Sequence, residues 1–339
     1  MDLVSHSPNI DLKTVALLLR NTYGIEGALH PLPSERDQNL LVITENADKF
    51  VLKIANSNET RSFLYAQNEA LIYLASQLSF CPRVIPTRND EQVSEIASGQ
   101  HNLLVRLVSY IEGEPLAKVP QESELLQDFG RKLGIFDRVM ASFERQAFHR
   151  DFHWDLANGP QVLSDHAGLI SDNDLRRLIE LFTERFAADF ASLEKGLRRS
   201  VIHGDANDYN IIVRDDRIVG LIDFGDMVHS YTVGDLAIGI AYVVTQREPL
   251  LAATAVVSGY LKEYSLNEAE LRVLWDLTLL RLCMSVCLSV YQQSMKPDND
   301  YLSISQRSIR ESLRDLMAIS SDLAAEQFQL SSLKTGRTN

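Results

Sequence analysis

The sequence is poor in cysteine, and this shortage excludes disulfide-built and zinc-binding classes of protein. The 339 residues include three cysteines, too few for the disulfide framework of a small secreted domain. Cys81 is isolated, while Cys283 and Cys287 are one helical turn apart in an apolar segment. No second Cys/His pair at zinc spacing accompanies them. We therefore expect reduced thiols in the core of a cytoplasmic protein.

Positive charge is also scarce, and no long hydrophobic run is present. Lys and Arg total 33 against 46 Asp and Glu, which gives a net charge of −13. An acidic surface repels nucleic-acid phosphates and anionic membranes, so neither is an expected partner. The longest apolar region, residues 277–291, contains Arg281 and is shorter than the ~20 residues that span a bilayer. The N-terminus has no basic start followed by an apolar stretch, so no secretory signal is expected.

What the sequence does have is a change of pattern near residue 110. Before it, short strand-like segments surround one long amphipathic helix at 59–78; after it, helical periodicity dominates. This pattern predicts an α+β fold with a small β-rich lobe (1–108), a larger helical lobe (109–330) and a disordered polar tail (331–339). The predicted strands are 27–32, 40–44, 50–54, 84–96 and 101–108, and the predicted helices are 11–20, 123–140, 173–194, 231–246, 250–263, 268–292 and 300–324.

A β-like island at residues 201–226 interrupts the helical region and contains the most informative polar residues. Residues 211–213 and 218–222 form a predicted hairpin whose turn contains two aspartates. A hairpin brings its open ends together, so Asn210 and Asp223 should be neighbours. Two oxygen ligands from strand ends, completed by water and substrate phosphates, are typical of a Mg²⁺ site.

The same island resembles the catalytic and metal-binding loops of the protein-kinase-like fold. The resemblance lies in His203–Asp205, followed after four residues by Asn210, and then in Asp223–Gly225. Gly204, in place of the arginine of eukaryotic protein kinases, is similar to the aminoglycoside phosphotransferase and choline kinase branch. Residues 32–39 and 154–156 look most similar to hydroxylysine kinases and homoserine-kinase-like proteins within that branch.

The resemblance implies a role for each matching residue. Asp205 would accept or orient the proton of the substrate hydroxyl, and Asn210 and Asp223 would hold Mg²⁺. Lys53, steadied by Glu69, would contact the phosphates of ATP, with GTP left open as the donor. Two further residues would support the loop structurally, namely His203 and Asp235.

The rest of the nucleotide site is expected from the same resemblance. Residues 104–110 match the hinge strand that receives adenine, with Leu107 and Ser109 as contacts. No Gly-rich loop covers the phosphates, because residues 31–39 take its place. We expect Ser34 and backbone N–H groups to contact the phosphates, with the acids of this segment, Glu35 and Asp37, turned out to solvent.

The acceptor site has several candidates, with alternatives that the sequence leaves open. Trp154 and Asp155 either embrace a substrate ammonium group or belong to a helix-capping loop. Asp208 and Asp226 flank the catalytic residues and would meet a cationic substrate. Arg281 either grips a substrate carboxylate or pairs with an internal acid, and the internal pair is favoured because buried arginines are rarely unpaired.

These observations predict an ATP- and Mg²⁺-dependent kinase of a small hydroxylated amine or amino acid, such as hydroxylysine or homoserine. An aminoglycoside acceptor and a protein Ser/Thr kinase of the same fold are alternatives. So is a nucleotide-binding module without activity, although the complete residue set argues against it.

Overall fold

The computed structural model describes residues 8–34, 36–99, 101–245, 248–295 and 306–335. Backbone contacts divide the chain into two compact units, Met1–Glu112 and Gly113–Asn339. The first is built on an antiparallel sheet and the second is mostly helical, as the predicted α+β class requires.

The described residues of the first unit form a six-stranded antiparallel sheet and two α-helices. The strand order is β1-β2-β3-β6-β4, and β5 pairs with β6. The strands are β1 (Gly27–Leu32), β2 (Gln38–Thr44), β3 (Lys49–Ile54), β4 (Val84–Ile85), β5 (Ser94–Ser98) and β6 (His101–Ser109). The helices are α1 (Leu12–Leu18) and α2 (Arg61–Ala75).

The core of the first unit follows from alternation along its strands. Leu52 and Ile54 on β3 are fully buried, as are Leu40 and Val42 on β2, because side chains two apart lie on one face of a sheet. Asp11 caps α1 through its side chain. The helix α2 is shorter than the predicted 59–78.

The second unit surrounds short strands with helices. Its strands are β7 (Glu114–Pro115), β8 (Arg199–Ile202), β9 (Ile211–Arg214), β10 (Arg217–Leu221) and β11 (Val228–Tyr231). Its helices are α3 (Ser123–Met140), α4 (Gly159–His166), α5 (Asn173–Leu193), α6 (Val233–Val243), α7 (Pro249–Leu261), α8 (Glu268–Met295), α9 (Gln306–Ala318) and α10 (Ser321–Thr335). The strand β9 lies between β10 and β7, and β8 pairs with β11.

The predicted hairpin is β9–β10, and its turn has a defined conformation. Asp215 and Asp216 both have positive φ, 51° and 56°, as in the type I′ turns that match strand twist. The register shifts between Ile218 and Gly220, which makes Val219 a bulge residue. The bulge changes which residue of β10 lies opposite the start of β9.

The long helix α8 is the centre of the second unit. By length and composition alone, α8 is apolar enough to cross a membrane, whereas the apolar run at 277–291 was expected to be too short. Of the most apolar stretch of α8, 89% is buried inside the protein. It therefore packs as a core helix. Cys283 and Cys287 on α8 and Cys81 in the first unit are all free and buried, as predicted.

Two predictions about the C-terminal region are wrong. The predicted helix 300–324 is two helices, because α9 ends at Ala318 and α10 begins at Ser321; residues 300–305 lie outside the described residues. The predicted disordered tail is helical in part, since α10 continues to Thr335, and 336–339 also lie outside. The short helix α4 was not predicted.

Candidate active site

A buried aspartate anchors the backbone of the polar loop, residues 203–210, which connects β8 to β9. The carboxylate of Asp235, in the first turn of α6, accepts from the backbone N–H of His203 at 2.7 Å and of Gly204 at 2.8 Å. Asp235 is fully buried. Its two oxygens therefore fix the path of the chain just before Asp205, since charge-assisted bonds are strong in a buried setting.

Gly204 is required by this path. Its φ is +79°, and a Cβ there would lie 2.4 Å from the carbonyl oxygen of Asp226. A larger residue would force the two loop segments apart. This close approach explains why glycine occupies the position.

His203 supports the loop from below. Its Nε2 lies 3.0 Å from the carbonyl oxygen of Ile222, and its Nδ1 accepts from the backbone N–H of Asp205 at 3.2 Å. These bonds require the neutral ring with the proton on Nε2. Burial lowers the pKa of His203, and edge contacts with Phe136 and Phe224 hold the ring. The structure gives it the supporting position that the resemblance implied.

The Asp205 carboxylate is surrounded by donors. Its Oδ1 pairs with Nη2 of Arg281 at 2.6 Å, and its Oδ2 accepts from Nδ2 of Asn207 at 2.9 Å and of Asn210 at 2.8 Å. Burial raises the pKa of Asp205 to about 7; the Arg281 charge opposes that rise and the neighbouring Asp226 adds to it. A carboxylate that titrates near neutrality is suited to proton transfer.

Arg281 is thus paired with an internal acid. This is the favoured alternative of the two, and the acid is Asp205 itself. The side chain is 3% exposed, and its guanidinium carbon lies 4.4 Å from the centre of the Trp154 ring. A residue held in this way does not project toward a substrate carboxylate, so the gripping role is wrong.

Asn210 and Asp223 lie together at the open end of the hairpin. The backbone N–H of Ile222 donates to the carbonyl of Asn210 at 2.9 Å, which places Asp223 next to this pair. Because Nδ2 of Asn210 faces Asp205, its side-chain oxygen is directed elsewhere. Asp223 is exposed and has a left-handed φ of 62°, a strained conformation that is frequent at functional sites.

This pair of oxygen donors fits a hard divalent cation. A carboxylate and an amide oxygen from adjacent strand ends are the ligand types that Mg²⁺ prefers, and Mg²⁺ keeps several waters or phosphate oxygens besides. The residues present therefore suit Mg²⁺ bound with a nucleotide.

Two more acids lie near Asp205. Asp208 is half-buried, and burial raises its pKa to about 6. Asp226 is 8% exposed, and its charge acts on Asp205. Together with Asp205 and Asp223 they make this part of the second unit rich in negative charge.

Asp155 has a structural position. Its side chain accepts from the backbone N–H of Ala157 at 3.0 Å, capping a short 3₁₀ turn, and the hydroxyl of Ser230 also donates to it. It is 8% exposed, and burial raises its pKa. The helix-capping alternative therefore describes Asp155, and the substrate role is wrong because its carboxylate is used internally. The half-buried Trp154 stacks on Arg281.

The predicted lysine–glutamate pair belongs to the first unit. Lys53 lies on β3, opposite Asn39 of β2 and Arg106 of β6, and is 9% exposed. Glu69 lies on α2 and is half-buried. Both residues occupy the predicted elements, a strand and the long helix.

The segment before β2 differs from its prediction. The hydroxyl of Ser34 accepts from the backbone N–H of Asp37 at 3.2 Å. The Asp37 carboxylate accepts from the backbone and side chain of Asn56 at 3.0 and 3.1 Å. Asp37 is therefore not turned out to solvent, because it ties this segment to the end of β3. Glu35 lies outside the described residues.

The two predicted adenine contacts lie on β6. The side chain of Leu107 is fully buried among the sheet side chains of the first unit, and its contact with adenine stays a prediction. The hydroxyl of Ser109 accepts from the backbone N–H of Arg83 at 2.9 Å.

Sequence analysis missed Asn207 and Asp137. Asn207 bonds to Asp205 directly, and its place two residues after that acid was an available signal. Asp137 lies on the apolar face of α3 and accepts from the Tyr260 hydroxyl at 2.6 Å. Burial and the charge of Asp235 raise the pKa of Asp137 well above its usual range. The sequence signal for Asp137 was an acidic residue about one helical turn after Leu133, on the apolar face of the predicted helix 123–140.

The chain is similar to known phosphotransferases and kinases. A profile described as "Phosphotransferase enzyme family" matches residues 28–274. A hydroxylysine kinase from Danio rerio is 28% identical over 333 residues, covering 93% of this chain and 94% of that protein. An amicoumacin kinase bound to AMP-PNP, Ca²⁺ and amicoumacin has a TM-score of 0.71 at 15% identity, covering 90% of this chain and 94% of its own. A microcompartment-associated aminopropanol kinase has a TM-score of 0.68 at 18% identity, covering 96% of this chain and 100% of its own.

Proposed function

Because the chain belongs to the phosphotransferase enzyme family, we propose that it transfers the γ-phosphoryl group of ATP to the hydroxyl of a small amine or hydroxy amino acid. The family and the relatives named hydroxylysine kinase indicate a small-molecule phosphotransferase. One observation carries the proposed transfer to a hydroxyl: the Asp205 carboxylate lies beside Asn210, at the end of the hairpin that also holds Asp223.

Asp205 receives the proton of the acceptor hydroxyl. A carboxylate offers about four acceptor positions, and three are used, two on Oδ2 and one on Oδ1. The remaining position on Oδ1 is therefore where the acceptor hydroxyl binds. Phosphoryl transfer needs little covalent assistance, so orienting this hydroxyl is the main contribution of Asp205.

Asn210 and Asp223 hold Mg²⁺, which when bound neutralises negative charge on the nucleotide phosphates. Asn210 is oriented for this task by its bonds to Asp205, and Asp223 by its left-handed backbone. In the first unit, Lys53 and Glu69 contribute the contact to the phosphates. Ser34 and backbone N–H groups of its segment are further proposed phosphate contacts.

The acceptor carries an amine. Asp208 and Asp226 add two acids to Asp205 and Asp223. A site with this negative charge favours a cationic group of the substrate over an anionic one. The relatives named hydroxylysine kinase and aminopropanol kinase support this class by their names. The free, buried cysteines suit a reducing compartment, and this supports a cytoplasmic location.

A coupled assay of ADP release across amino alcohols, hydroxy amino acids and aminoglycosides tests the proposal. Phosphate transfer to at least one amine-bearing alcohol, dependent on Mg²⁺ and abolished in Asp205→Asn, is expected. The exposed turn variant Asp215→Asn is the matched control and should behave as wild type. Transfer to proteins in preference to every small acceptor would contradict the proposed acceptor class.

A further inference from the structure

Arg281 is a buried cation in an otherwise apolar stretch of α8. Its neighbours Leu279, Leu280 and Leu282 are fully buried, as is Arg281 at 2% exposure. A guanidinium removed from water needs a partner in good geometry, because desolvation otherwise disfavours the folded state. Its ion-pair partner is Asp205, at 2.6 Å.

The guanidinium is fixed from three directions. Its Nε lies 3.3 Å from the hydroxyl of Tyr242 on α6, and its Nη1 lies 3.4 Å from the carbonyl oxygen of Trp154. The Trp154 ring covers its face at 4.4 Å. These contacts hold Arg281 in place independently of Asp205, and they direct Nη2 at one oxygen of the Asp205 carboxylate.

The remaining bonds do not fix that carboxylate. Asn207 and Asn210 both donate to Oδ2, and rotation about the terminal torsion of aspartate is soft. Among the described residues, Arg281 is the one donor to Oδ1. Without it, the oxygen that we assign to the acceptor hydroxyl could rotate away.

We propose that Arg281 is a positioning residue that fixes the Asp205 carboxylate and leaves one acceptor position on Oδ1 open for the substrate hydroxyl. The inference rests on the proposed function. It assigns to the long apolar helix α8 a direct part in arranging the reacting groups, through a residue 76 positions from the one it orients.

Three variants of Arg281 and one control separate positioning from folding. Arg281→Met removes the charge at similar volume, and kcat should fall by about 10²-fold with KM for ATP within about twofold. Arg281→Lys retains a charge without the planar fork and should lie between wild type and Arg281→Met. Arg272→Met, at an exposed position of the same helix, should match wild type.

Chemical rescue gives a readout that a merely structural role does not move. Arg281→Ala leaves space for a small cation, so millimolar guanidinium should restore kcat by about tenfold or more, whereas Arg281→Met, whose side chain fills that space, should not respond. Circular dichroism checks folding of each variant. If Arg281→Ala does not fold, the kcat values of the other proteins test the inference, which predicts that kcat decreases from wild type to Arg281→Lys and then to Arg281→Met.

The inference is overturned if Arg281→Met keeps wild-type kcat, or if its loss lies in KM for ATP alone. Slow hydrolysis of Mg·ATP without an acceptor is followed in parallel. A wild-type protein that transfers phosphate neither to an acceptor nor to water overturns the proposed function and this inference with it. An active wild type with an unaffected Arg281→Met overturns the inference only.

Discussion

Two polar segments of the second unit look alike in sequence and differ in structure. The polar loop, residues 203–210, and the segment 150–155 both contain two aspartates, a histidine and at least one aromatic residue. In the loop, the Asp205 side chain is partly exposed, and the nearby Asp223 is exposed. In the other segment, the Asp155 carboxylate caps a turn and accepts from Ser230.

The comparison shows that polar density does not identify a site. What distinguishes the loop is that buried residues of other elements hold it. Asp235 anchors its backbone just before Asp205, and Arg281 pairs with the Asp205 carboxylate, which stays partly exposed. In residues 150–155, by contrast, Asp155 is itself buried, and its carboxylate binds groups of the protein. Substitutions in the two segments should therefore affect different quantities.

The largest effect is expected for Asp205→Asn. An amide does not accept the hydroxyl proton, so kcat should fall by about 10³-fold, or about 4 kcal/mol on the barrier. Binding of Mg·ATP, measured by calorimetry, should change little because Asn210 and Asp223 remain. A variant with kcat within tenfold of wild type would remove Asp205 from its assigned role.

Asp235→Asn should act on both stability and activity. It replaces a charged acceptor of two backbone N–H groups with an amide, at an expected cost of about 3 kcal/mol in the free energy of unfolding. Urea denaturation measures this cost, and kcat should fall because the loop loses its anchor. An unchanged unfolding midpoint would show that the loop holds its path without Asp235.

Asp155→Ala should act on stability alone. Loss of the cap and of the Ser230 bond should lower the free energy of unfolding by about 2 kcal/mol. The kcat and KM for the acceptor should stay within about twofold at temperatures where the variant is folded. Asp165→Asn, an exposed acid on α4, is the control. A selective rise in acceptor KM would return Asp155 to the substrate site.

The smallest effect is expected for Asp216→Gly in the hairpin turn. Glycine adopts the φ of 56° without the strain of a side chain, so the protein should gain about 0.5–1 kcal/mol. Thermal unfolding measures the gain, and activity should not change. Destabilisation would mean that the Asp216 side chain has a role in the turn that its exposure does not suggest.

Local patterns predicted much of the fold and part of the site. Strand and turn chemistry predicted the hairpin turn at 215–216 and the proximity of Asn210 to Asp223. The resemblance implied the positions of His203 and Asp235. The Val219 bulge was not predictable, because Ile218, Val219, Leu221 and Ile222 are all apolar, so this strand has no alternation in which a one-residue shift of register would be visible.

Long-range polar pairing was the part that sequence could not supply. Arg281 and Asp205 are 76 positions apart, and periodicity places Arg281 on a buried helix without naming its partner. For Asp155, the sequence left capping and substrate binding open, and the contact with Ser230 on a distant strand, which helps to decide between them, leaves no local pattern.

The central claim is that Asn210 and Asp223, beside Asp205, hold the divalent cation of the nucleotide. Electron paramagnetic resonance of Mn²⁺ titrated into the protein with ATP tests it directly, comparing wild type, Asp223→Asn and the turn control Asp215→Asn. We expect nucleotide-dependent Mn²⁺ binding in wild type and Asp215→Asn, weakened at least about tenfold in Asp223→Asn. Equal Mn²⁺ affinity in all three proteins would contradict the claim.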